Sequence, residues 1–184
     1  MQLLPVIVGI FLILFAIYSI RKEDRSYPKL GIDYFLQGVT IKVPPWWTQV
    51  EKDSQKLNRL TFKRTDTRYE WHASFSYHFE DLASVEEKYK EIIKSKGILF
   101  DEVPSVIHRD QTAPKLIRHY KDTQAVRIES TATGPDSKRM YFDLTLIYFP
   151  SKGAYLLCEN QSSVLNGMVE GPFYDKVLKN LDYS

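Results

Sequence analysis

Arg139 to Phe149, which reads RMYFDLTLIYF, is the stretch that decides the fold of this chain. Its even positions, Met140, Phe142, Leu144, Leu146 and Tyr148, form one apolar row, as the two-residue period of a strand requires. The odd positions do not supply the polar counterpart of a half-solvated strand, because Tyr141, Ile147 and Phe149 are apolar as well. A strand that is apolar on both faces belongs at the centre of a sheet, with helices above and below it. The expectation is an α+β domain with a central antiparallel sheet and helices on both faces, an α/β/α sandwich.

Working outward, Pro150-Ser151-Lys152-Gly153 is turn chemistry and leads to a strand from Ala154 to Asn160. Upstream, Gly134-Pro135-Asp136-Ser137 separates the central strand from another at Ala125 to Thr133. Two shorter strands are expected at Val103 to His108 and Lys115 to Lys121, with turns at Asp110 to Thr112 and Asp122-Thr123-Gln124. Successive hairpins of this kind make an antiparallel meander. Nearer the N-terminus, Trp71, Ala73, Phe75, Tyr77 and Phe79 alternate with His72, Ser74, Ser76 and His78, giving an apolar face and a solvated one. His72 and His78 share a face but stand about 20 Å apart along a strand, too far to share a metal ion. Shorter strands are expected at Val39 to Val43 and around Leu60 and Phe62. Ser84-Val85-Glu86-Glu87 is a capping box, and Val85, Tyr89, Ile92 and Ile93 recur at helical spacing until Gly97. Gln161 to Glu170 shows no period and reads as a loop. Gly171-Pro172 then starts a last helix whose apolar stripe is Phe173, Val177, Leu178 and Leu181.

The other decisive stretch is Leu3 to Ile20, LLPVIVGIFLILFAIYSI, which carries no charged side chain. As a helix it covers about 27 Å, close to a hydrocarbon core of about 30 Å. Pro5 falls in the first turn, where its missing N–H is harmless, and Tyr18 sits at the depth of an aromatic belt. The start lacks the basic residues of a secretory signal and the exit lacks small residues, so an uncleaved anchor is expected over residues 1–20. Arg21, Lys22 and Arg25 follow, interrupted by Glu23 and Asp24. Counting the basic residues, the positive-inside rule favours a single-pass membrane protein with its domain on the cytoplasmic side, the periplasmic or extracellular side being the alternative. Residues 21–34 read as a juxtamembrane linker and residues 35–184 as one domain.

The 25 basic and 23 acidic residues leave a net charge of +2, which does not point to nucleic acid. Cys158 is the single cysteine, within a strand-like run, and reads as a small buried hydrophobe. No cofactor and no metal is expected.

The order of elements resembles the PsbP/DcrB-like family over roughly residues 35–183. The resemblance is carried by a strand entering a proline and tryptophan corner, Val43-Pro44-Pro45-Trp46-Trp47, and by the helix from Ser84 to Lys96. The long hairpin ending in Gly153-Ala154-Tyr155-Leu156-Leu157 and the closing stripe Phe173, Val177, Leu178, Leu181 complete it. It implies a three-layered fold used in binding and assembly, with no shared catalytic residue to carry over.

Two readings of the Trp46-Trp47 pair stand: the indoles close one end of the core, or they form an exposed aromatic rim. On the second, Trp46, Trp47 and Phe173 with Lys52 and Lys56 are the candidate partner-binding surface. The functional expectation is a membrane-anchored, non-catalytic protein-binding or assembly module with a membrane-associated protein partner. A sensor or carrier holding a small apolar or lipid ligand between sheet and helix is the alternative. A hydrolase comes last: no nucleophile elbow, zinc motif or phosphate loop is present, and the best pairs are His119 with Asp122 and His108 with Asp110.

Overall fold

The computed structural model describes residues 3–50, 58–64, 71–101, 105–107 and 112–183. Helix α1 (Leu3–Leu30) leads into the hairpin β1 (Ile32–Leu36) and β2 (Val39–Val43), followed by β3 (Thr48–Gln49), β4 (Arg59–Lys63) and β5 (Trp71–His78). Helix α2 (Val85–Ser95), strands β6 (Leu99–Phe100) and β7 (Ser105–Ile107) and helix α3 (Pro114–His119) come next. The long strands β8 (Gln124–Thr133), β9 (Arg139–Phe149) and β10 (Ala154–Ser162) precede helix α4 (Val164–Lys179) and β11 (Asp182–Tyr183).

The large sheet has the order β3-β4-β5-β10-β9-β8-β6, with β7 also pairing β8, and β1-β2-β11 form a separate three-stranded sheet. The expected α+β sandwich is the observed one. Met140 to Phe149 are buried throughout. Their even residues pack beneath α2 with Val85, Tyr89 and Leu157, and Tyr89 pins that helix by donating its hydroxyl to the Leu144 carbonyl at 3.0 Å. On the opposite face Ile147 and Phe149 join Phe75, Leu156, Tyr174, Val177 and the small sheet's Ile41 and Val43. The β8–β9–β10 meander is antiparallel as expected, and β10 then pairs with β5 from far earlier in the chain. Ser162 lies opposite both Trp71 and Tyr141, which marks one end of the sandwich, and Tyr155 lies opposite His78 and Tyr148 near the other.

Ser84 caps α2 by accepting from the Glu87 amide at 3.3 Å. The β1–β2 loop is Gln37-Gly38, with φ of +49° and +80°. Both central residues of such a two-residue hairpin must be left-handed, which glycine tolerates.

Four expectations are corrected. Lys115 to Lys121 is not a strand but lies on and after helix α3, because Pro114 is preset for the first helical position and a proline cannot donate to a ladder. Gln161 to Glu170 is not a loop: β10 runs on to Ser162, and α4 begins at Val164 with Ser163 as N-cap, so Gly171-Pro172 lies inside the helix. Residues 21–34, read as a juxtamembrane linker, are instead taken up by regular elements, since α1 continues to Leu30 and Ile32 already pairs in β1. The even face of β5 is not solvated at Ser74 and Ser76, which are buried, whereas Phe79 on the supposed core face is exposed.

Candidate functional site at the joint between helix α1 and the domain

Tyr27 follows Glu23 by four residues and Asp24 by three, the spacings that put both carboxylates on the tyrosine's side of α1. All three bind the domain. Tyr27 is buried and donates its hydroxyl to the Lys42 carbonyl at 2.9 Å. Arg64, just past β4, reaches Glu23 Oε1 at 3.1 Å with one guanidinium nitrogen and pairs with Glu170 through another. Asp24 pairs with Lys176. Glu170 is 1% exposed, and its second oxygen accepts from the Trp47 indole at 2.9 Å. Trp46 meets Phe173 edge-on at 5.0 Å between centroids. The Arg64 guanidinium lies 5.8 Å from the Trp46 ring and the Lys176 ammonium 5.4 Å from the Phe173 ring.

The joint therefore contains three of the residues that sequence reasoning put on a partner-binding surface, but in another role. Trp47 and Phe173 are buried and Trp46 is half-buried. An indole that meets its acceptor on a helix crossing behind it gains more from burial than from standing in water. The aromatic-rim reading of these residues is corrected accordingly. Lys52 and Lys56 lie outside the described residues, as do His108 and Asp110. His119 stacks on Tyr183 at 5.5 Å, while the Asp122 carboxylate accepts from the Ser151 amide at 3.0 Å, so the two are engaged elsewhere. Reading the sequence did not find Glu170, Arg64 or the clamping role of Glu23 and Asp24. The one available signal was a pair of carboxylates inside a flank where positive charge is expected.

A second polar cluster lies between the sheet and α4. The Arg127 fork binds Asp143 at 3.0 and 2.6 Å, reaches Asp175 at 2.7 Å, and lies 3.3 Å from Glu129. Glu129 accepts from the Tyr141 hydroxyl at 2.6 Å, and Lys179 donates to Asp175 at 2.6 Å. Burial pulls the Arg127 guanidinium down, but its bonds to Asp143 and Asp175 outweigh this and keep it protonated. Burial pushes the Asp143 carboxyl up, to about 6, against the pull of Arg127. An unfolded aspartate titrates near 4, so the folded state holds a proton here that the unfolded chain has already released. That contribution is complete below about pH 4 and is lost as pH rises through about 6. It amounts to about 2 to 3 kcal/mol, because each tenfold difference in proton affinity between the two states is worth about 1.4 kcal/mol. Denaturant titrations of the full chain between these pH values are expected to show it in the difference between wild type and Asp143→Asn. A difference that does not vary with pH would refute this account of the cluster.

Burial also raises the Cys158 thiol well above its ordinary range, as suits a small core residue. Gly167 and Gly171 bring α4 against the Tyr141 ring, beside an open groove of about 400 Å³ that Glu129, Met168, Pro172 and Asp175 also line. On the other face, a cleft of about 600 Å³ lies between β5 and the end of α2, lined by Arg59, Ser76, His78, Lys96 and Glu159 among others. His78 Nε2 and Ser76 Oγ are 3.0 Å apart there, and burial lowers the His78 pKa. Lys96 and Ser74 hold the Glu159 carboxylate from either side. Among the described residues no group of three or more His, Cys, Asp and Glu could hold a metal ion.

The architecture defines a class, an antiparallel α/β/α sandwich of PsbP-like fold. The solution structure of cyanobacterial PsbP (CyanoP) from Synechocystis sp. PCC 6803 matches it at a TM-score of 0.53 and 9% identity, over 84% of this chain and 92% of that one. PA94 from Pseudomonas aeruginosa, a protein of unknown function, matches at a TM-score of 0.49 and 12% identity, over 84% of this chain and 97% of that one. No family model matches the chain, and no curated protein matches it by sequence.

Proposed function

We propose that this chain is a single-pass membrane protein whose PsbP-like domain is a non-catalytic binding or assembly module, held in a set orientation beside the bilayer. The observation that carries the reading is the division of α1. Its 26-residue candidate span, Pro5–Leu30, is long and apolar enough to cross a membrane, and none of its most apolar window is buried against the domain. The polar end of the same helix is clasped by Arg64, Lys176 and the Lys42 carbonyl. A continuous helix seated in this way gives the domain a fixed pose, where a flexible linker would let it swing. Such a pose suits a protein that presents a surface to a membrane-associated neighbour. Arg21, Lys22 and Arg25 favour the cytoplasmic side.

The test has two arms. In membranes from cells making the full chain, the protein is expected to remain in the pellet after an alkaline carbonate wash. Photo-crosslinkers at exposed Phe79 and Leu99 are expected to trap a discrete membrane-associated protein in intact cells. Release by carbonate would refute the anchor, and crosslinks no different from those of an unrelated anchored domain would refute the binding role.

A further inference from the structure

We infer that the outer face of the first turns of α4 is a second membrane contact, in which Leu165, Met168 and Val169 seat in the interfacial region of the bilayer that α1 crosses. The inference rests on the anchoring proposed above and adds to it a lipid-facing surface on the domain itself.

Leu165, Met168 and Val169 are 67%, 72% and 51% exposed. With exposed Pro172 they stand at positions i, i+3, i+4 and i+7, one stripe along the helix. The inward face of α4 carries buried Gly167, Glu170, Gly171 and Tyr174, so the helix is packed on its sheet side and apolar on its outer side as well. A contiguous apolar stripe left uncovered on a folded domain marks a contact surface.

The contacts with α1 identify what covers it. Glu23 is joined to Glu170 through Arg64, Asp24 is joined to Lys176, and the Tyr27 hydroxyl meets the Asn180 side chain, so residue number rises in the same sense along both helices from the joint. Residues of α4 before Glu170 therefore extend to the side on which the apolar part of α1 leaves the domain. The sheet register agrees, because Ser162, just before α4, lies level with Trp71 and Tyr141 at that end of the sandwich. The charge agrees too. Arg21, Lys22, Arg25 and Lys29 are exposed and have no acidic partner among the described residues, which matches a layer of anionic headgroups around the exit of α1. An apolar stripe beside a basic collar is the pattern of a helix lying in the interface.

The experiment uses the full chain reconstituted in vesicles of phosphatidylcholine and phosphatidylglycerol, with an environment-sensitive fluorophore on Met168→Cys, Leu12→Cys or Ser151→Cys. The native Cys158 is buried and does not compete for label. Ser151 lies at the opposite end of the β9–β10 hairpin and serves as the aqueous control. Nitroxides placed shallow or deep on the lipid chains read the depth. The label at 12 is expected to be quenched most by the deep nitroxide, the label at 168 by the shallow one, and the label at 151 by neither. If 12 is quenched while 168 behaves as 151 does, the second contact is refuted and the anchor stands. If 168 is shielded from both lipid and aqueous quenchers, a protein covers the stripe and the inference is equally overturned. If 12 is not quenched, the anchor itself falls and this contact falls with it.

Discussion

Glu170→Ala is expected to destabilise the folded chain by about 3 to 5 kcal/mol, the range for removing one partner of a buried ion pair. The Glu170 side chain is 1% exposed and that of Arg64 10%, so water cannot replace the lost carboxylate. The substitution takes the buried carboxylate from the Arg64 guanidinium, leaving it the partly exposed Glu23, and also orphans the buried Trp47 indole N–H, which has its acceptor in Glu170 Oε2. Glu170→Gln keeps an acceptor for the indole and is expected to cost less. Replacing Arg64 and Glu170 together by methionine is expected to recover much of the loss, since an apolar pair of similar volume leaves no buried charge and the Glu23 carboxylate that loses Arg64 is partly exposed to water. Guanidinium titrations of the full chain in detergent measure all three, read at unchanged slope. A Glu170→Ala shift below about 1 kcal/mol would mean that the carboxylate is not needed at the joint.

Gly167→Ala carries the second large effect, and here two principles oppose one another. Propensity alone makes alanine better than glycine inside a helix by about 1 kcal/mol. At this position the new Cβ would lie 2.2 Å from Tyr141 Cγ and 2.4 Å from Tyr141 Cβ. Those atoms are the root of the ring, next to the backbone of the central strand, and the ring's far end is held by Glu129. Neither helix nor strand can give way without disturbing the Arg127 cluster behind them. The packing cost is therefore expected to win, with a net loss of about 2 to 3 kcal/mol, at the upper end of the usual penalty for overpacking. Gly9, whose added Cβ would meet nothing within 4 Å, is the control, and alanine there is expected to leave domain stability unchanged. A stabilised Gly167→Ala variant would show that α4 does not press on Tyr141 as described.

The two-faced apolarity of Met140 to Phe149 was enough to place that strand at the centre of a helix-covered sheet, and its bounds match the observed β9. The capping box at Ser84 and the turn residues on either side of β9 were equally legible, because each acts over a few neighbouring residues. Misreadings occurred where local signals competed. Lys115 to Lys121 carries β-compatible residues, but Pro114 in front of them starts a helix. Gln161 to Glu170 lacks an inward apolar period because its inward positions are Gly167 and Glu170: one makes room for a tyrosine ring and the other satisfies an arginine and an indole. A pattern search for apolar residues passes over both.

The joint shows the same division. Sequence picked out Trp46, Trp47 and Phe173, and the structure does bring them together, but as the packed floor beneath Arg64 and Glu170 instead of a free surface. The apolar character of Leu3 to Ile20, the sheet at the centre and its helical cover follow from composition and period, which report how each segment meets water. Whether a charged residue is solvated or buried, and which partner it finds, depends on contacts as distant in the chain as Trp47 with Glu170 or Asp24 with Lys176. Those pairings decide how the domain sits on its helix, and they exist only once the sandwich has closed around them, because no periodicity along one segment records the electrostatics of another.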